Sequence, residues 1–278
     1  MKKHSSTFIL IFVFLIGLSL LLYPSLSNYW NSFHSSKAIA SYAEQAAQLD
    51  DDKYHAIWDA AIQFNKTLQT RADKYHLTDE QESLYYQLLD MGDTGIMGYI
   101  EIPSLGVSLP IYHGTSEAVL QIAVGHLEWT SLPVGGESTH CVVSGHRGLP
   151  SARLFTDLDK VVVGDIFTLC VLDEILTYEV DQILIVEPDE TDPLLIEKGK
   201  DLCTLVTCTP YGVNSHRMLV RGHRVENRAE ATAVRVTADA IQIEPAIVAP
   251  IVATPMLLIL LVILLIPKSK KGGMTDEK

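Results

Sequence analysis

The sequence predicts a mainly β domain that is preceded by a helical region and flanked by two membrane-spanning helices. Three observations support this prediction in the 278-residue chain. Two long uncharged segments lie near its ends, residues 37–90 contain neither glycine nor proline, and a series of short β-like runs follows Gly98. A chain of this length can bury a core without disulfides or metal ions.

The two uncharged segments are residues 8–26 and 246–266, and each is long enough to cross a bilayer as a helix. Lysines lie on the outer side of both, at positions 2 and 3 and at 268, 270 and 271. Because positive charge favours the cytoplasmic side, we expect both termini in the cytoplasm and the rest of the chain outside the cell. Residues 1–35 would then form the cytoplasmic start and first span, 228–245 a juxtamembrane linker and 267–278 a basic cytoplasmic tail.

A cleaved signal peptide is the alternative for the first apolar segment. The small residues Ala38-Ile39-Ala40 could form a cleavage site, but they lie far beyond the apolar stretch. A membrane anchor is therefore the favoured interpretation.

The composition argues against several partners. The net charge of −13 is spread through the predicted extracellular part, whereas a nucleic-acid partner would require a basic face. The four cysteines, at 141, 170, 203 and 208, could form two disulfides in an exported protein, but they include no CxxC pair. The first three lie in β-like apolar runs, where cysteine acts as a small hydrophobic residue. The ten histidines form no ligand-spaced cluster with these thiols, so we expect no metal and no cofactor.

Residues 36–95 have the composition of helices, with many Ala, Gln, Glu and Leu residues. The pattern predicts helices around 38–49, 53–68 and 79–89, with a loop at 69–77 where the periodicity breaks. Residues 96–227 consist instead of at least seven short strand-like runs, which are typical of a barrel or a sandwich. Within this part, only residues 116–124 and 149–158 are expected to be short helices.

Cys208 ends a strand-like run, LCTLVTC, and is followed by the turn Thr209-Pro210-Tyr211-Gly212. A thiol at a strand end can be reactive if a base or cation lies beside it, although burial as an inert core residue is equally compatible with the pattern. His146 follows another apolar strand and could act as general acid and base. Arg217, in the run after the turn, could bind developing negative charge, while its neighbour His216 is a competing base that would point to the opposite face of the strand.

The runs TLVTCTPYGVNSHRMLVRGHR, VVSGHRGLPSARLFTDLDKVVVGDIF and GYIEIPSLGVSLPIYHG resemble the class C, pilus-assembling sortases of Gram-positive bacteria. The resemblance covers about residues 90–227 and implies a closed β-barrel of about eight strands. It also implies the site: Cys208 matches the family nucleophile, His146 the general acid and base, and Arg217 the residue that stabilises the oxyanion. No cofactor and no metal are implied.

Enzymes of this family resemble one another in cleaving an LPxTG-type sorting signal between Thr and Gly through a cysteine thioester. In the pilus class the acceptor is a pilin lysine, so the implied partners are pilin subunits and the bacterial membrane. The alternative is a housekeeping sortase that anchors surface proteins to peptidoglycan. The family also carries a lid with an Asp-Pro-aromatic tripeptide, which Asp73-Lys74-Tyr75 matches only in part because Lys74 replaces the proline.

A third possibility is that the chain is a substrate of such an enzyme, anchored through its C-terminal apolar stretch and lysines. That interpretation needs an LPxTG-like motif just before the tail, where the sequence reads AIQIEPAIVAP. The similar string Leu132-Pro133-Val134-Gly135-Gly136 lies in mid-domain and lacks the threonine. The substrate interpretation is therefore rejected.

Overall fold

The computed structural model describes residues 2–227, together with residues 254 and 257. The predicted linker at 228–245, the second apolar segment at 246–266 and the basic tail at 267–278 otherwise lie outside the described residues. The first helix, α1 (Lys2–Ala47), is one continuous element in which Pro24 is tolerated. By length and composition, Ile9–Ala47 could cross a membrane, and it is the one such helix in the described part of the chain.

Two further helices complete the helical region. Helix α2 (Asp51–Thr70) is capped by Asp50, whose carboxylate accepts a hydrogen bond from the Lys53 backbone N–H at 2.8 Å. Helix α3 (Asp79–Tyr85) begins with a capping box formed by Thr78 and Gln81. The segment between them is irregular, as the sequence predicts for residues 69–77.

Eight strands form a closed barrel in the order β1-β2-β3-β4-β7-β8-β6-β5. The pairs β2–β3 and β4–β7 are parallel, and all others are antiparallel. The prediction of a mainly β closed barrel is therefore confirmed. The strands are β1 (Ile96–Ile102), β2 (Val107–His113), β3 (Val124–His126), β4 (Thr139–Gly145), β5 (Ile166–Val171), β6 (Glu174–Val186), β7 (Asp201–Thr209) and β8 (His216–Arg224).

The β4–β7–β8 part of the barrel is buried on both faces, which explains why its strands are almost continuously apolar. One face, with Val143, Leu205 and Val220, contributes to the large core cluster of the barrel interior. The opposite, outer face carries a second cluster: Val142, Val206, Leu219, Val186 and Leu194 are buried there, with Leu127, Trp129 and Leu184 packed against them. Segments before β4 and before β7 therefore cover the outer face of these strands.

The helices are joined to the barrel by buried hydrogen bonds. Asn65 of α2 donates to the Leu132 carbonyl at 3.1 Å and accepts from the Leu132 N–H at 2.7 Å. The hydroxyl of Tyr42 in α1 donates to the Met97 carbonyl at 2.9 Å and accepts from the Leu172 N–H at 2.8 Å. Because each is a satisfied buried polar group, it fixes where the helix lies on the barrel.

The two predicted internal helices are shorter than expected. Helix α4 spans only Glu117–Leu120, because β3 begins soon afterwards at Val124. Residues 149–158 form turns rather than a helix, followed by a 3-10 turn at Leu158–Lys160, so this prediction was wrong. The physical reason is local: Leu154 has a positive φ of 37°, and the Phe155 N–H bonds the His146 carbonyl at 3.1 Å instead of a helical partner.

The buried ring of His140 predicts that the stability of the barrel depends on pH. Its ring contacts the Leu195 carbonyl at 2.9 Å and the Thr204 hydroxyl at 2.7 Å, and burial lowers its pKa below the ordinary value of 6.5. The unfolded chain therefore binds this proton more readily than the folded chain. As the pH drops below about 6.5, the contribution of His140 to the free energy of unfolding falls, by up to ~1.4 kcal/mol per pH unit. Thermal unfolding between pH 7.5 and 5.5 should show this loss.

His140→Gln should weaken that dependence, because the titrating group is gone. His55, which lies on the exposed surface of α2, provides the matched control: His55→Gln should leave the slope of stability against pH as it is. An unchanged slope in His140→Gln would show that other groups cause the dependence.

Candidate active site

Three residues predicted from the sequence, which we call the row, lie at one end of the adjacent strands β4, β7 and β8. Strand β7 pairs with β8 so that Cys208 lies opposite Arg217. Strand β4 runs parallel to β7, its last pair joins Ser144 to Val206, and His146 directly follows β4 at the end of the sheet where Cys208 lies. Neighbouring strands lie about 4.8 Å apart, and residues in register project from the same face. The order across the sheet is therefore His146, Cys208, Arg217.

This row lies on the outer face of the barrel, at the end of the second apolar cluster. Val206, two residues before Cys208 on the same face, is buried, whereas Cys208 is only partly buried and the His146 side chain is 28% exposed. On the opposite face, the Thr207 hydroxyl donates to the Gly145 carbonyl at 2.8 Å. The thiol and imidazole thus sit where a buried, rigid sheet opens to solvent.

Gly145 allows His146 to reach this position. A Cβ atom on residue 145 would lie 2.7 Å from a ring carbon of Phe155 and 2.9 Å from a methyl carbon of Val124. Both neighbours are buried in the core, so they have little room to move. Glycine before the histidine is therefore a packing requirement of the site.

The contacts of His146 and Arg217 leave groups of both side chains available to a substrate. His146 Nε2 lies 3.8 Å from a carboxylate oxygen of Glu117, an exposed residue of α4. Arg217 donates from Nη1 to the carbonyls of Asn214 at 3.2 Å and His216 at 3.0 Å. In the described part of the chain its Nε and Nη2 groups have no acceptor, so they are free to bind an oxyanion.

The competing basic residues have other partners. His216 contacts Glu187 at 3.2 Å. Arg221 forms ion pairs with both Asp181 and Glu197 at 2.9 Å. These side chains stabilise the β6–β7–β8 region and do not join the row.

All four cysteines are free thiols. Cys141, Cys170 and Cys203 are buried in the apolar clusters, and Cys208 is the one that reaches the surface. Burial raises the pKa of Cys203 well above its ordinary value, which suppresses its thiolate form. Within residues 9–227, no group of three or more His, Cys, Asp or Glu side chains is arranged to hold a metal ion.

The predicted lid loop docks on the segments that precede β4 and β7. Tyr75 donates to Asp192 at 2.7 Å, and its ring lies 5.5 Å from that of Trp129. Asp73 accepts from the Tyr75 N–H at 2.9 Å and pairs with His76 at 3.0 Å, so its carboxylate stabilises the loop itself. Among the described residues, neither Asp73 nor Tyr75 bonds a member of the row.

Arg71 adds a second attachment for this loop. Its guanidinium donates to the backbone carbonyls of Lys74 and Trp129, tying the loop to the segment before β4. Trp129 packs on the outer cluster that contains Val206. The sequence did not indicate this role of Arg71. Its partner, the Trp129 carbonyl, lies far away in the chain, and no local pattern predicts such a contact.

The comparisons with known proteins agree with this geometry. The sortase domain model matches residues 100–225. Sortase C1 from Streptococcus agalactiae is 54% identical with a TM-score of 0.68, over 69% of this chain and 100% of that one. Sortase C from Streptococcus pneumoniae is 46% identical with a TM-score of 0.63, over 69% and 97%. The chain belongs to the sortase family, and these structural neighbours are class C sortases.

A curated relative matches a shorter part. Sortase D of Bacillus subtilis (strain 168) is 31% identical over 131 residues, which make up 46% of this chain and 63% of that relative. The chain therefore spans less than two thirds of this relative's length.

Proposed function

We propose that this protein is a membrane-anchored class C sortase, a cysteine transpeptidase that joins pilin subunits. It would cleave an LPxTG-type sorting signal between Thr and Gly and transfer the acyl group to a pilin lysine. The observation that carries the proposal is the row of a partly exposed thiol, an imidazole and an arginine whose Nε and Nη2 groups have no acceptor among residues 2–227. The class C neighbours support the pilus role, and the structure from Streptococcus pneumoniae concerns catalysis and pilin substrate specificity in that protein.

The row supports a two-stage acyl transfer. Cys208 attacks the threonyl carbonyl as a thiolate after its proton has passed to His146, and the oxyanion that forms accepts hydrogen bonds from Arg217. His146 gives a proton to the departing glycine amine as the C–N bond breaks, which leaves a thioester on Cys208. The lysine amine then attacks the thioester, His146 takes its proton, and the thiolate leaves as the isopeptide bond forms.

The proposed location follows from the apolar segments. Residues 8–26 lie in a helix long enough to cross a membrane. With a second span at 246–266, both termini would be cytoplasmic and the barrel extracellular, beside its pilin substrates. Treating intact cells with an impermeant thiol reagent should label Cys208, and labelling only after lysis would refute this orientation.

The acceptor of the acyl group distinguishes the two alternatives: a pilin lysine for pilus assembly, or a peptidoglycan amine for anchoring to the cell wall. We expect the purified enzyme to join pilin subunits into a ladder of covalent multimers on a denaturing gel. Replacing the acceptor lysine in the pilin should remove the ladder while the sorting signal is still cleaved. Transfer of the signal to a cross-bridge peptide, without ladders, would instead support a housekeeping sortase.

If residues 69–77 form a lid, replacing both Asp73 and Tyr75 with alanine should speed labelling of Cys208 by a small thiol reagent. The change removes the Tyr75–Asp192 hydrogen bond and the ring contact with Trp129. A hydrogen bond worth about 1 kcal/mol corresponds to roughly fivefold in the opening equilibrium. Lys74→Ala keeps the carbonyl that Arg71 binds and is the control; equal labelling rates in all three proteins would refute the lid.

A further inference from the structure

Arg147, the residue directly after His146, crosses from the end of β4 to the turn after β7. Its Nη2 group forms an ion pair with Asp159 at 2.5 Å, and its Nη1 group lies 3.5 Å from the Thr209 hydroxyl. Its guanidinium carbon lies 5.9 Å from the centre of the Tyr211 ring. Thr209 and Tyr211 are the first and third residues after Cys208, so one side chain links the two segments that carry the thiol and the imidazole.

The burial of Arg147 distinguishes it from a surface arginine. Its side chain is only 9% exposed, and its buried Nε group has no hydrogen-bond partner in the described part of the chain. Burying a guanidinium is costly unless ionic and cation–π contacts compensate for it. Arg153 in the same loop is 41% exposed and pairs with Asp157, as a surface arginine commonly does.

The backbone around Arg147 is fixed by the same loop. The His146 carbonyl accepts from the Phe155 N–H at 3.1 Å, and the Gly148 N–H donates to the Thr156 hydroxyl at 3.1 Å. Gly148 has a φ of +78°, and a Cβ there would lie 3.0 Å from the Tyr211 ring. The segment 146–156 thus packs directly against the turn that follows Cys208.

The strand ladder alone does not hold His146 and Cys208. The last rung of the β4–β7 ladder pairs Ser144 with Val206, two residues before the row. Beyond that rung, the Arg147 side chain supplies polar and aromatic contacts between the two strand ends. Asp159, in the 3-10 turn at Leu158–Lys160, holds the guanidinium in place.

We propose that Arg147 is a positioning residue, which fixes the His146 imidazole relative to the Cys208 thiol without contacting the substrate. The inference rests on the proposed roles of Cys208 and His146. It assigns different roles to the two arginines near the site. Arg217 binds the negative charge that develops on the substrate, while Arg147 fixes the distance between the His146 imidazole and the Cys208 thiol. Misplacing a reacting group by about 1 Å can cost about 100-fold in rate.

The test separates kcat from KM for cleavage of a fluorogenic LPxTG peptide. Arg147→Gln should lower kcat roughly 10- to 100-fold while KM stays within about twofold, because positioning and not binding is lost. The pH profile of Cys208 alkylation by iodoacetamide should also shift, since the imidazole no longer stays beside the thiol. Asp159→Asn should lower kcat less, and the double variant should be no worse than Arg147→Gln alone.

Two further variants keep the proposal falsifiable. Arg153→Gln, in the same loop, should keep wild-type kcat and alkylation profile. Arg147→Lys keeps the positive charge, and an unchanged melting temperature would show that this variant is folded. Its kcat should still fall at least about fivefold, because an ammonium group cannot reproduce the planar fork of the guanidinium. Normal kcat in a folded Arg147 variant, or losses that simply add in the double variant, would overturn the proposal.

This outcome is distinguishable from failure of the proposed site. If Cys208→Ala is inactive while the Arg147 variants behave like wild type, only the positioning role is wrong. If Cys208→Ala remains active, the site itself is wrong.

Discussion

Replacing Cys208 with alanine should abolish both cleavage of the sorting peptide and formation of the acyl-enzyme. Cys208 is the one cysteine that reaches the surface; it pairs with Arg217 across β7 and β8, and His146 follows β4 at the same end of the sheet. Without a nucleophile no thioester can form, so turnover should fall by about 10⁴-fold or more. Intact-protein mass spectrometry after incubation with an LPxTG peptide measures the loss of the acyl adduct directly.

The three other cysteines provide matched controls. Each is buried in an apolar cluster, so each alanine substitution should cost stability, about 1 kcal/mol, and leave turnover near normal. An acyl adduct that persists in Cys208→Ala but disappears in one of these variants would move the nucleophile to another strand. Full activity in Cys208→Ala would remove the mechanism altogether.

Replacing Arg217 with lysine should remove most of the turnover, although the positive charge is kept. Arg217 already uses Nη1 on two backbone carbonyls, and the remaining face of its planar fork is free to donate. A lysine ammonium lacks this preorganised fork and cannot hold the backbone carbonyls and an oxyanion together. Loss of an oxyanion donor lowers kcat by about 10²- to 10³-fold, which we expect here with little change in KM.

Arg224→Lys, on the same strand, tests whether any arginine-to-lysine change on β8 is harmful. Arg224 donates to the carbonyls of Thr177 and Ile175, away from the row. Its lysine variant should turn over near the wild-type rate. A near-normal kcat in Arg217→Lys would reassign Arg217 to a structural role at the end of β8.

The class of fold and the members of the candidate site could be predicted because their signals are local. Short apolar runs indicated the strands, and the cysteine and histidine each followed such a run at a turn. The pairing of β4 with β7 could not be predicted, since parallel neighbours that lie far apart in the chain leave no periodic trace. For the same reason the sequence did not show that Cys208 lies on the outer face of the barrel. That face is recognised by the residues that cover it, such as Leu194 and Trp129.

Residues that act through tertiary contacts were missed. Arg147 stands beside His146 in the sequence, yet its role depends on Asp159 and on the turn after Cys208. The helix predicted at 149–158 does not form for a related reason: a hydrogen bond from the Phe155 N–H to the His146 carbonyl replaces a local helical one. The sequence identified a partial lid motif at 73–75, but not the tyrosine–aspartate bond or the arginine that attach it.

The parallel β4–β7 pairing also determines when the site can exist. Its register joins Thr139 to Asp201 and Ser144 to Val206, partners separated by 62 positions, and Arg217 arrives only with the last strand. Contacts so distant in sequence carry a large loop-closure cost and form slowly. A chain emerging from the membrane would therefore carry an isolated, unactivated thiol until the barrel closes. In the proposed orientation, the enzyme would therefore stay inactive until its exported part has folded.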